Sequence, residues 1–114
     1  MRVTHLFAGV PTADLHVALE WYERLLGKPP DNRPHAGEAV WQLTGDGLIY
    51  VVSDLTRAGH ALITLIVEDL DAALSELEQR GIRPREVETM GSGARKATIA
   101  DPDGNSVALA QVGG

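Results

Sequence analysis

Apolar positions along this chain follow two periods, and the same order of periods occurs twice. Each half opens with a short apolar run of strand character, Val3 to Val10 in the first half and Ala61 to Val67 in the second. A segment follows in which apolar residues recur at helical spacing. In the first half these residues are Leu15, Ala18, Leu19, Tyr22, Leu25 and Leu26, and in the second half they are Leu70, Ala73, Leu74 and Leu77. The pattern predicts a strand and then an amphipathic helix in each half.

The two halves also match residue by residue. Asp14 aligns with Asp69, which lies 55 positions later, and Ala18 aligns with Ala73 at the same offset. Twice this offset spans nearly all of the 114 residues. Repetition on this scale indicates a single domain, residues 1–114, built from two copies of one module. We place the first module at about residues 1–56 and the second at about residues 57–114.

Short strands are predicted after each helix. Turn residues separate them, Gly45-Asp46-Gly47 in the first half and Asp101-Pro-Asp-Gly104 in the second. The predicted strands are Glu38 to Leu43, Leu48 to Val52, Arg85 to Thr89, Lys96 to Ala100 and Ser106 to Gln111. The Pro-rich segment from Lys28 to Gly37 suits an irregular edge strand with a loop, because proline is excluded from central strands. The order predicts an α+β fold of two βαβββ modules.

Composition narrows the classes of function. The chain has no cysteine, which excludes disulfide scaffolds, thiolate metal sites and cysteine nucleophiles. Its net charge of −6, without a basic cluster, speaks against a nucleic-acid partner. No apolar run approaches the roughly 20 residues of a membrane helix. The segment from Met1 to His5 lacks the blocks of a signal peptide, so we expect a cytoplasmic protein without membrane association.

Several short motifs, in this order, resemble those of the vicinal oxygen chelate superfamily, which includes glyoxalases, bleomycin resistance proteins and extradiol dioxygenases. The motifs are Val10-Pro-Thr-Ala-Asp-Leu15, Trp21-Tyr-Glu-Arg-Leu-Leu-Gly27, Val67-Glu-Asp-Leu-Asp-Ala-Ala73, Arg80-Gly-Ile82 and Asp101-Pro-Asp-Gly-Asn105. The resemblance implies sheets that curl into a cup, with the helices on the convex side and the pocket on the concave side. It also implies a homodimer, because members of this superfamily commonly build each cup across two chains.

Metal-dependent members place one ligand on the first and one on the last strand of each module. Counting along the motifs, those places fall on Phe7, Val51, Leu62 and Ala108 in this chain. None of these side chains carries the nitrogen or oxygen that divalent ions require. We therefore expect no metal cofactor. The leading interpretation is metal-independent binding of a small, partly apolar or aromatic molecule, in the manner of the drug-sequestering members.

Two alternatives stay open, and with them the question of whether the protein is an enzyme. His5 and His60 also lie 55 positions apart, each two residues before a ligand place and thus on the same strand face. A shift of register would let them hold a metal for a lyase, isomerase or dioxygenase. The second alternative is a structural or regulatory domain whose cup has collapsed.

The predicted ligand pocket has an apolar floor at Phe7, Leu62 and Ala108. Trp41 and Tyr50 lie on strands that line or flank the cup, where aromatic rings either stack on a flat ligand or fill the core. Arg95 and Lys96 are adjacent on a strand, so alternation sends one of them inward, where it is available to an anionic ligand group. The pattern does not decide which of the two.

Overall fold

Two βαβββ modules follow one another in the structure, a computed structural model that describes residues 1–113. The first comprises β1 (Leu6–Thr12), α1 (Leu15–Leu26), β2 (Asn32–His35), β3 (Glu38–Thr44) and β4 (Gly47–Ser53). The second comprises β5 (Leu62–Ile66), α2 (Leu70–Gln79), β6 (Glu86–Thr89), β7 (Arg95–Ala100) and β8 (Ser106–Gln111). The predicted α+β fold of paired modules is confirmed; Gly114, the end of the predicted second module, lies outside the described residues.

Each module forms its own four-stranded sheet. The strand order is β1-β4-β3-β2 in the first sheet and β5-β8-β7-β6 in the second. β1 runs parallel to β4 and β5 runs parallel to β8, while the other pairs are antiparallel. β2 contains Pro34 and lies at a sheet edge, as proline requires. β1 and β5 lie at the opposite edges of the two sheets.

The two helices begin in the same way, at an aspartate. The Asp14 carboxylate accepts a hydrogen bond from the Val17 N–H at 3.3 Å, and the Asp69 carboxylate accepts one from the Ala72 N–H at 3.0 Å. Each cap satisfies one of the N–H groups that have no partner in the first helical turn. α1 ends at Gly27, whose φ of 77° lies in the left-handed region that glycine favours. Among residues 1–113, no helix is long and apolar enough to span a membrane.

Side chains point alternately to the two faces of each sheet, and most of the buried ones lie on the face packed on its helix, while the other face is open. The helix faces carry the buried side chains of Val10, Ala39, Trp41, Ile49 and Val51 in the first sheet and of Ala97, Ile99, Val107 and Leu109 in the second. These side chains form one core together with residues of both helices, including Tyr22, Leu25, Leu70 and Leu77. Because both sheets turn their helix faces toward one shared core, their open faces point away from it.

A buried carboxylate in the β7–β8 turn contacts the first module. Asp101 is 6% exposed, and its carboxylate accepts hydrogen bonds from the Tyr22 hydroxyl at 2.7 Å and from the Asn105 side-chain amide at 2.8 Å. The same amide of Asn105 also donates to the Pro11 carbonyl at 2.9 Å. The side chain of Asn105 thus links the turn to the end of β1.

A second carboxylate of the same turn binds the short segment between β1 and α1. Asp103 accepts hydrogen bonds from the Thr12 hydroxyl and, at 2.9 Å, from the Ala13 N–H. Hydrogen bonds to a charged acceptor contribute about 1.5–3 kcal/mol each. The sequence predicts Asp101 to Asn105 only as a hairpin turn. In the structure this turn also makes hydrogen bonds that hold the second module against the first.

Tyr22 makes this connection sensitive to alkaline pH. Burial, followed by the neighbouring Asp101 carboxylate, raises the pKa of the Tyr22 phenol far above its ordinary value. The unfolded chain releases this proton near pH 10, while the folded chain keeps it. The contribution of Tyr22 to stability is therefore complete below about pH 10 and is lost as the pH rises further.

We expect the free energy of unfolding to fall more steeply with pH above about 10 in the parent than in Tyr22→Phe, by about 1.4 kcal/mol per pH unit. At pH 7 the variant loses one charge-assisted hydrogen bond and should be about 2 kcal/mol less stable. Urea unfolding between pH 7 and 11 measures both effects. Equal alkaline slopes in the two proteins would show that Tyr22 ionises as freely in the fold as in the unfolded chain.

Candidate ligand-binding site

The open face of the first sheet is apolar and carries two aromatic rings. In the parallel register of β1 and β4, Phe7 lies opposite Leu48 and Gly9 lies opposite Tyr50. The Phe7 side chain is half exposed, and the centroids of the Phe7 and Tyr50 rings are 6.4 Å apart with an angle of 56° between their planes. These two rings form a tilted aromatic pair on the sheet surface.

A cavity of about 350 Å³ lies beside Tyr50. One wall is the open face of the first sheet, and the other is the loop that joins β4 to β5, residues 54–61. The lining residues are Gly9, Pro11, Tyr50, Val52, Asp54, Thr56, Arg57, His60 and Ala61. This volume lies in the usual range of small-molecule sites. An apolar sheet thus faces a polar loop across it.

The charged residues on the loop side of this cavity, Asp54 and Arg57, form an ion pair with each other. The Nε atom of Arg57 lies 3.0 Å from the Asp54 carboxylate, which also accepts the backbone N–H of Arg57 at 3.2 Å. The Arg57 side chain is 81% exposed, so water screens the pair and its contribution to stability is small. The loop therefore offers hydrogen-bonding groups to the cavity with little net charge.

The open face of the second sheet is lined mostly by small side chains. Leu62 and Ile66 on β5 are 85% and 64% exposed. Thr64 lies between them on β5. Ala108 on β8 has Thr64 opposite it on one side and Thr98 of β7 opposite it on the other. Ala108 itself is 5% exposed. The centre of this face, at Thr64, Thr98 and Ala108, has only small side chains, in contrast to the aromatic face of the first sheet.

Of the adjacent cations Arg95 and Lys96 on β7, only one faces the open side of the second sheet. Arg95 points toward the helix, where its guanidinium lies 2.9 Å from the Asp71 carboxylate on α2. The hydrogen bond and the charge of Arg95 hold the pKa of Asp71 below its usual range, and Asp71 likewise raises the pKa of Arg95. Lys96, one position later, lies on the open face between Glu88 and Ala110. Of these two cations, Lys96 is the one on the open face, where Glu88 lies opposite it.

Trp41 lies in the core and offers no surface to a ligand, which corrects the interpretation of this residue as a pocket wall. Its side chain is fully buried, and its indole N–H donates to the Lys28 carbonyl at 3.0 Å. The reason is the register of the β3–β4 hairpin, which pairs Trp41 with Ile49 and Val40 with Tyr50. Trp41 and Tyr50 are therefore on opposite faces of the sheet, and only Tyr50 is on the open one.

The same register shows that Val51, one of the four ligand places counted from the sequence, is not on the open face. Val51 is fully buried on the helix face, whereas its neighbours Tyr50 and Val52 line the cavity. Phe7, Leu62 and Ala108 lie on the open faces. The count from the turn glycine to Val51 is thus one residue out of register.

The two histidines of the metal-dependent alternative line different cavities. His60 lines the cavity beside Tyr50, while His5 lies at a separate, more open depression with its Nε2 atom 3.5 Å from Asp46. Across residues 1–113, no three side chains of His, Asp or Glu lie close enough together to hold a metal ion.

Gly9 and the loop residues Asp54, Thr56 and Arg57 were not predicted as site residues. Gly9 interrupts an apolar strand, and a glycine in that position signals the close approach of another group. The loop residues carry no comparable signal, because their position depends on how the chain between the modules folds back onto β4. Sequence spacing does not determine that path.

Several solved structures are similar to this chain over nearly its whole length. A glyoxalase/bleomycin resistance protein from Catenulispora acidiphila is 49% identical, with a TM-score of 0.92, covering 96% of this chain and 99% of that chain. A bleomycin resistance determinant encoded on the transposon Tn5 is 25% identical, with a TM-score of 0.78, covering 96% and 98%. TnmS3, an antibiotic binding protein from Streptomyces sp. CB03234, is 25% identical, with a TM-score of 0.79, covering 98% of both chains.

Comparison with curated proteins gave no match. The model of one protein family, by contrast, matches residues 2–109, which span nearly all of both modules. The motifs that carried the resemblance and the paired βαβββ modules agree with this match. The chain belongs to the glyoxalase/bleomycin resistance protein/dioxygenase superfamily.

Proposed function

We propose that this protein is a homodimer that binds a small, partly apolar or aromatic molecule without a metal ion. The observation that carries the proposal is the exposure of large apolar side chains on the two open faces. Phe7, Leu62 and Ile66 are 50%, 85% and 64% exposed in a single chain. Exposed large apolar side chains on a sheet face mark a site of association or of ligand binding.

The shared core supports a cup that is completed by a second chain. Within one chain, the helix faces of both sheets meet around α1 and α2, so the open faces have no sheet opposite them. In a two-fold dimer, the open face of the first sheet of one protomer meets the open face of the second sheet of its partner. Two equivalent cups result, and each protomer contributes a different half to each cup.

An apolar groove at the sheet edges favours the same arrangement. β1 and β5 are edge strands, and a groove of about 630 Å³ lies between them, lined by side chains such as Leu6, Ala8, Ile63 and Leu65. An exposed apolar edge strand invites pairing or coverage by another chain. A partner that covers these edges buries apolar surface that a monomer leaves in water.

The composition of the two faces indicates the kind of ligand. In the composite cup, the aromatic pair of Phe7 and Tyr50 faces the small side chains of Thr98 and Ala108. One aromatic wall and one smooth wall leave a slot that suits a flat, weakly polar molecule. Lys96 supplies one cation at most, since Arg95 is engaged by Asp71.

Relatives support ligand binding as the function. Two of the similar proteins are described as an antibiotic binding protein and as a bleomycin resistance determinant. The residues at the family ligand places of this chain add to this support, because Phe7, Leu62 and Ala108 carry no metal-binding atom. Sequestration of a small molecule requires only a shaped pocket, and the open faces provide its walls.

We expect a homodimer in solution that buries at least roughly 1,000 Å² in total. Light scattering at tens of micromolar protein measures its mass. Leu62→Glu places a charge on the covered face and should yield monomers. Val17→Glu, which alters an exposed apolar residue on α1, should leave the dimer intact. A parent protein that is monomeric at this concentration would contradict the composite cup.

The purified protein should hold no stoichiometric zinc, nickel, iron or manganese. Chelators should leave its melting temperature unchanged, since no free energy of metal binding is linked to folding. Elemental analysis of protein prepared without chelator, followed by thermal unfolding with and without EDTA, provides the measurement. About one equivalent of metal that disappears in His5→Ala and His60→Ala would favour the metal-dependent alternative.

The dye 1-anilinonaphthalene-8-sulfonate should bind the dimer and gain fluorescence in the apolar cup. Tyr50→Ala should weaken this binding by about 1–3 kcal/mol, the scale of one lost aromatic surface. Val17→Ala removes exposed apolar surface outside the cup and serves as the control. Fluorescence titration of the three proteins decides the matter, and equal affinity in Tyr50→Ala and the parent would remove Tyr50 from the site.

A further inference from the structure

Gly9 and Tyr50 lie against each other on the open face of the first sheet. They lie directly opposite each other on β1 and β4. A Cβ atom on residue 9 would lie 2.6 Å from Cζ and 2.7 Å from the hydroxyl oxygen of Tyr50. The Tyr50 ring therefore lies across the backbone of β1, in the space that any other residue at position 9 would fill with its side chain.

The backbone does not require glycine at this position. Gly9 is not among the glycines with a positive φ, so its conformation is open to every residue. Glycine in the interior of a strand weakens the strand, because it loses more conformational freedom on folding and has no side chain to pack. What glycine provides at position 9 is room for the ring of Tyr50.

The position of that ring determines the shape of the site. Tyr50 lines the cavity of about 350 Å³ and lies next to Phe7 on the sheet surface. A side chain at position 9 would lift the ring away from β1, toward the loop on the other side of the cavity. The flat aromatic wall would then be lost and the space beside it would be narrowed.

We propose that Gly9 is the specificity-determining residue of the site, because it makes the site selective for planar aromatic ligands over bulky aliphatic ones. This inference rests on the proposed ligand-binding function. It assigns the selectivity to one position on β1, and it assigns the ring of Tyr50 as the surface on which the planar ligand stacks.

Two carboxylates of similar size and equal charge test this selectivity by shape alone. 2-Naphthoate is flat, and adamantane-1-carboxylate is globular. Calorimetric titration of the parent should show tighter binding of 2-naphthoate. Gly9→Ala should weaken the binding of 2-naphthoate about tenfold, which is the upper scale of one aromatic stacking contact. It should weaken the binding of adamantane-1-carboxylate much less. Selectivity between the two probes should therefore fall.

Gly91→Ala is the matched control, because it makes the same chemical change where no atom lies within 4 Å of the added Cβ. It should bind both probes like the parent. In the Tyr50→Ala background, Gly9→Ala should leave the affinity for 2-naphthoate unchanged and should not lower the melting temperature, since the ring it displaces is gone. This double variant also restores room at position 9 if Gly9→Ala alone folds poorly.

Two results would overturn the inference while the proposed function stands. One is a Gly9→Ala protein that keeps the parental selectivity, and the other is an effect of equal size in the Tyr50→Ala background. A parent that binds neither 2-naphthoate, adamantane-1-carboxylate nor the naphthalene dye would instead refute ligand binding itself. The inference would fall with it, even if the melting temperatures showed that residues 9 and 50 are coupled.

Discussion

The arrangement of the two modules depends on the carboxylates of one turn. Asp101 accepts the Tyr22 hydroxyl, and Asp103 accepts the hydroxyl of Thr12 where β1 ends. Asn105 completes the network through its side-chain amide and the Pro11 carbonyl. A buried carboxylate that loses a donor keeps the full cost of its desolvation, so these contacts tolerate little change. The turn of the second module therefore fixes where β1 and α1 of the first module lie.

This fixed arrangement has a consequence for the site. With both helices in one shared core, the sheets present their open faces in different directions, and neither can cover the other. The large apolar residues Phe7 and Leu62 are therefore exposed to water in the single chain. In the proposed dimer, assembly and ligand binding have a common origin, because the surfaces that pair the chains also form the walls of each cup.

The repeat, the helices and most strands could be predicted from the sequence, because they depend on local periods and on the 55-residue offset between residues such as Asp14 and Asp69. The sequence does not predict which side chains of the β3–β4 hairpin lie on which face of the sheet. One step of register decides whether Trp41 or Val40 shares a face with Tyr50, and both choices satisfy the apolar pattern. Nor does spacing reveal the role of Asp103 between the modules, because that contact joins segments about 90 residues apart.

Complementation between two defective variants tests the composite cup most directly. Tyr50→Ala removes the aromatic wall of the first sheet, and Thr64→Trp fills the open face of the second. Each variant alone should bind 2-naphthoate more weakly than the parent and should lack sites of parental affinity. When the two are unfolded and refolded together, a mixed dimer joins both defects in one cup and restores the other, so an equal mixture should recover about a quarter of the parental sites. Recovery of no sites, despite mixed dimers shown by mass spectrometry, would contradict a cup built from two chains.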